Sequence, residues 1–71
     1  MGQSARILLG RRVRELRQKA GMTQEEFAAL AGIDYKYIQK IEGKTPPAVR
    51  IDTIEKLAKA IRVPLKKLVA P

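Results

Sequence analysis

Apolar residues recur at three- and four-residue intervals along most of this chain, which predicts a series of short amphipathic helices. The first spans about 4–20, with Ser4 as N-cap, Leu9, Val13, Leu16 and Ala20 as its inward stripe, and Gly21 as its stop. Ile7 and Leu8 fall off that stripe, as ordinary exposed residues or as part of a self-association surface. The second spans 24–31 behind the capping box Thr23-Gln24-Glu25-Glu26, turns Phe27, Leu30 and Ala31 inward, and is closed by Gly32. Asp34 caps a third helix over 35–42. A fourth covers 51–61 with Ile51, Ile54, Leu57, Ala58 and Ile61 facing in, and a fifth covers 64–69 with Pro64 in its first turn. The one break in composition is Gly43–Val49, GKTPPAV, where consecutive prolines forbid a continuing helix. The expected fold is all-α, five helices in one domain over residues 1–71. Helices two and three, each with its own cap and joined through a glycine, carry the spacing of a helix-turn-helix.

Composition narrows what such a domain can do. Seventy-one residues allow one small core. With no His and no Cys, the chain lacks the usual transition-metal ligands, disulfides and nucleophile–base pairs, and no carboxylate pair forms a catalytic set. An enzyme, a metal site and a cofactor are therefore not expected. The net charge of +8 favours a polyanionic partner over mere solubility. Its distribution is uneven: residues 1–20 hold six basic residues and one acidic, whereas 33–50 hold four and two. No apolar run is long enough for a signal peptide or a membrane span, so the chain reads as soluble and cytoplasmic.

The third helix separates its side chains by chemistry. With Tyr35 at zero on a helical wheel, Gln39 lies near about 40°, Lys36 near about 100° and Lys40 near about 140°. Tyr37, Ile38, Ile41 and Glu42 take the other side. Tyr35, Lys36, Gln39 and Lys40 thus form a donor-rich face without an acid. In a major groove such a face reads bases: Lys pairs with guanine O6/N7 and Gln with adenine N6/N7. At the start of the second helix, free N–H groups and the Gln24 amide offer a place for a phosphate, with Glu25 and Glu26 keeping that site weak.

From Leu9 onward the chain resembles the Cro and phage-repressor family of helix-turn-helix domains, also called Xre-like or lambda-repressor-like. The resemblance rests on LGRRVRELRQKAGMTQ (Leu9 to Gln24), Glu26-Phe27-Ala28, Ala31-Gly32-Ile33, Tyr37 to Glu42, Asp52 to Ile61 and Val63, about sixty of the 71 residues. It implies a five-helix domain in which Gln24 binds phosphate and Tyr35, Lys36, Gln39 and Lys40 contact bases. It also implies a structural bridge between Arg17 and Glu42. Lys44, Thr45 and Arg50, in a loop stiffened by Pro46-Pro47, become further phosphate candidates. Two departures stand out. Arg50 replaces the usual small cap before helix four, leaving that cap missing unless Asp52 with Glu55 supplies it, and Arg62 occupies a position usually held by a left-handed glycine. The implied function is a transcriptional regulator, read as a repressor that binds a palindromic operator on double-stranded DNA as a homodimer. Leu65, Leu68 and Val69 are the candidates for the dimer surface or, equally, plugs for the core. No small-molecule ligand is expected. The competing expectation is a protein-interaction or antitoxin-like module on the same fold.

Overall fold

The computed structural model describes residues 4–69. Five helices follow in order: α1 Ala5–Lys19, α2 Gln24–Ala31, α3 Tyr35–Ile41, α4 Ile51–Ala60 and α5 Lys66–Val69. The last starts later than its apolar spacing predicts. Lys67 and Leu68 donate backbone bonds to Pro64 and Leu65, so the stretch from Pro64 enters as a tight three-residue turn rather than as helix.

The starts of α1, α2 and α3 are chemically fixed. Ser4 Oγ accepts from Ile7 N, Asp34 Oδ1 accepts from Lys36 N at 2.7 Å, and Thr23 with Glu26 forms both bonds of the capping box. The Thr23 backbone amide, seconded by its hydroxyl, holds the Glu26 carboxyl below the usual glutamate range. α4 begins differently. Arg50 sits in extended N-cap geometry but makes no side-chain cap bond, and neither Asp52 nor Glu55 replaces it.

Three helix stops share one design. The backbone N–H of Met22, Ile33 and Val63 reaches back five residues to Arg17, Ala28 and Ala58, and the residue before each is left-handed. At the first two stops that residue is glycine, Gly21 and Gly32; at the third it is Arg62, with φ of 56°.

The core is formed by Val13, Phe27, Ile38, Ile41 and Leu57, all fully buried, with Ala28, Ala31, Ile54, Ala58, Ile61 and Leu68 around them. Burying a side chain such as Phe27 contributes about 1.5–3 kcal/mol. Several inward assignments from the sequence need correction. On α1 the buried residues are Gly10, Val13 and Arg17; Leu9 and Leu16 are half-buried and Ala20 is exposed. The buried stripe is thus rotated by about 60° from the apolar one. The reason lies at Gly10, where a Cβ would overlap the Ile41 carbonyl oxygen. Glycine lets α1 cross α3 at near-backbone contact, and the bulkier leucines flank that crossing. Leu30 is 64% exposed because α2 buries Phe27, Ala28 and Ala31, a face centred well away from it. Ile51 is 58% exposed, standing one turn ahead of Ile54 at the open end of α4. α5 packs on α1, with Leu68 in the core and the Arg12 Nη1 donating to the Lys67 carbonyl.

Candidate nucleic-acid interface

The geometry of the donor-rich face depends on one polar hub beneath it. Arg17, late in α1, donates from Nε to Glu42 Oε2 at 2.8 Å and from Nη2 to Glu42 Oε1 at 3.0 Å. Its Nη1 donates to the Met22 carbonyl at 2.6 Å, in the turn that leads into α2. The two charged side chains keep only 9% and 3% of their surface. A bidentate guanidinium–carboxylate pair fixes direction as well as distance. One side chain therefore joins α1, the α1–α2 turn and the C-cap of α3. Gln24 completes the hub by donating its amide to Glu42 Oε1 at 3.1 Å.

This places Gln24 differently from the simple phosphate-binding picture. One of its two amide hydrogens is already committed inside the protein, which leaves one N–H and the carbonyl for other partners. Its position is set by Glu42 rather than by a ligand.

Gln24, Tyr35 and Gln39 line one open depression together with Arg14 and Gly43. Within it Gln39 Nε2 donates to Tyr35 Oη at 3.1 Å, across one helical turn. That bond holds both side chains on the same face while the Tyr35 hydroxyl proton and the Gln39 carbonyl remain available. Lys36 and Lys40 are exposed on α3 and lie outside the depression's lining. Ile38 and Ile41 anchor the opposite side of the helix with zero exposure. The helix is thus held by its apolar side and by Glu42, leaving its polar side clear.

The loop candidates divide. Lys44 lines a second depression next to the first, shared with Ile7, Arg11, Arg14, Glu42 and Gly43. Thr45 and Arg50 are exposed but line neither depression. Among the dimer candidates, Leu68 is only 3% exposed and is a core residue, so it is not available to a second copy; Leu65 is half-buried against the core and Val69 is exposed. The sequence reading missed Arg11 and Arg14 as members of this face. Their signal was present in the helical spacing of residues 7, 11, 14 and 17, but it could be used only once the α1–α3 crossing was known. Among the described residues no cluster of acidic side chains could hold a metal, and no helix is long and apolar enough to cross a membrane.

Known proteins resemble this chain over most of its length. The family model described as helix-turn-helix matches residues 13–68. The control protein C.BamHI of Bacillus amyloliquefaciens is 39% identical over 69 residues, covering 96% of this chain and 84% of the relative. An uncharacterized HTH-type transcriptional regulator, y4dJ of Sinorhizobium fredii, is 37% identical over 67 residues, covering 93% and 84%. Among solved structures, the restriction-modification controller protein C.AhdI from Aeromonas hydrophila superposes with a TM-score of 0.83 at 35% identity, covering 89% of this chain and 94% of that one.

Proposed function

Because the chain belongs to the helix-turn-helix family of DNA-binding transcription regulators, we propose that two copies bind a palindromic operator as a homodimer, each reading one half-site through α3. The family is one of regulators and not of enzymes. The observation that carries the reading is the pairing of a clear donor face with a rigid support. Tyr35, Lys36, Gln39 and Lys40 have no acid among them, and the Arg17–Glu42 bridge fixes the helix that bears them.

In this reading α3 enters the major groove. Lys36 and Lys40 donate to guanine edges, Gln39 pairs with adenine, and Tyr35 presents its ring to a thymine methyl or its hydroxyl to a phosphate. Gln24 supports a backbone phosphate with its remaining N–H, while Lys44, Thr45 and Arg50 approach the strand from the loop. Two copies are needed because one small domain buries little surface on DNA. On a two-fold symmetric operator the two α3 helices would lie about one helical turn apart, roughly 34 Å. Leu65 and Val69 provide the contact between copies. Acting in the cytoplasm, the dimer represses by occluding a promoter. The likeness to C.AhdI, a restriction-modification controller protein, points to genes of such a system as the targets.

In vitro selection from random duplexes at two salt concentrations tests this. A palindromic consensus with two half-sites about 10 base pairs apart is expected. Absence of enrichment at either salt overturns sequence-specific reading. Lys36→Ala should then cost about 1–3 kcal/mol on the selected site while leaving random duplex little changed; equal losses on both remove its base-reading role.

A further inference from the structure

The two depressions beside α3 are parts of one continuous groove. Arg14, Glu42 and Gly43 line both, so the surface carrying Gln24, Tyr35 and Gln39 runs directly into the one carrying Ile7, Arg11 and Lys44. Three cations converge there: Arg11 and Arg14, exposed on α1, and Lys44, exposed just past α3. None of the three makes an ion pair or a side-chain hydrogen bond among the described residues. The one carboxylate that lines both depressions, Glu42, cannot neutralise them. Both of its oxygens are engaged by Arg17 and Gln24, and its side chain keeps 3% of its surface. Glu25 is the other acid on the groove and lies in the first depression only.

Proximity of these like charges opposes folding electrostatically, and no ion pair among the described residues offsets it. They are brought together by the Gly10–Ile41 crossing, which lays the 7, 11, 14 stripe of α1 alongside the end of α3. Resting on the DNA-binding reading above, we propose that Arg11, Arg14 and Lys44 form a phosphodiester-binding groove that extends the contact from α3 along the DNA backbone. A phosphate chain fits better than a single anion, because the groove is open, elongated by two joined depressions, and continuous with the base-reading face. These contacts carry no base information; they raise affinity for any duplex and fix the angle at which α3 is presented.

The test is a titration of the full chain against its selected duplex and a random duplex, between about 50 and 200 mM salt. Each lost phosphate contact should lower the slope of log K against log salt by about 0.9, so Arg11→Gln with Arg14→Gln should flatten it by about 1.8 on both duplexes. The wild-type advantage would then shrink about tenfold across that salt range. Arg14→Lys should keep most of the slope. Lys56→Gln with Lys59→Gln removes the same charge from exposed α4 positions off the groove, and should change the slope far less. A double arginine variant that keeps the wild-type slope overturns the groove while leaving DNA binding standing. So does an α4 variant that flattens the slope equally, since net charge would then explain both. A wild-type chain that binds neither duplex overturns the DNA reading and the groove with it. All four positions are exposed, and unchanged helical circular dichroism separates these outcomes from misfolding.

Discussion

The α1–α3 junction and the ends of α4 are both places where helix geometry is set, yet they are built in opposite ways. At the junction every demanding position holds the residue it needs: glycine where backbones meet, a bidentate ion pair with no unfilled acceptor, and a glycine to stop α1. α4 starts on an uncapped Arg50 and stops on a left-handed Arg62. Precision is concentrated where α3 is aimed, and local strain is tolerated where only packing of Ile54, Leu57 and Ala58 is required. The same kind of local feature is therefore indispensable in one region and improvable in the other.

That contrast breaks most visibly at Arg17. Arg17→Ala should destabilise the domain by about 3–5 kcal/mol, because it strands the buried Glu42 carboxylate and frees the Met22 carbonyl. Urea unfolding measures it, and a loss below about 1 kcal/mol, the scale of an exposed pair, would dissolve the distinction. Next in size, Gly10→Ala should cost about 1–3 kcal/mol or more by forcing α1 away from Ile41. It should also weaken DNA binding beyond its effect on stability, since the arginine stripe moves with α1; a stable Gly10→Ala variant would show the crossing to be loose.

At α4 the sign should reverse. Arg62→Gly should raise stability by about 1 kcal/mol by relieving the left-handed strain, seen as a higher urea midpoint at constant m. Arg50→Asn should add about 0.5–1 kcal/mol through a new N-cap bond. If Arg50 also touches phosphate, that stabilised variant should bind random duplex more weakly. Losses at either position would mean that the α4 ends are as exacting as the junction.

The smallest effect concerns pH. The Glu26 carboxyl, held low by Thr23, contributes stability that is fully present above the unfolded pKa and is lost as pH falls through the folded one. Glu26→Gln should therefore reduce the acid-side decline in stability, and a carboxyl titration followed by NMR should find the Glu26 midpoint below the usual glutamate range.

Legibility in the sequence followed the range of the interaction. Thr23 with Glu26, Asp34, Gly21 and Gly32 act on neighbours a few residues away, so their spacing alone locates α2 and α3. The face of α3 was readable for the same reason, because Tyr35 and Gln39 are related by one turn of a single helix. Arg17 with Glu42 lies 25 positions apart and came only through family resemblance. Leu30 and Ile51 are exposed although their spacing turns them inward, and Leu68 takes the core role of the two open to it, because hydrophobicity tells that a side chain prefers burial, not which neighbour will cover it.

By itself, then, the sequence determined where the first four helices lie, that a capped helix pair presents Lys and amide donors, and that the protein carries excess positive charge. It could do so because caps, turns and helical periodicity are properties of contiguous residues. Only the tertiary structure decided which side of α1 is buried, and so where its arginines go. A glycine at the α1–α3 crossing turned the helix away from its most apolar stripe, because close backbone approach rewards the smallest side chain rather than the greasiest. That rotation put Arg17 under the end of α3 and Arg11 with Arg14 beside it.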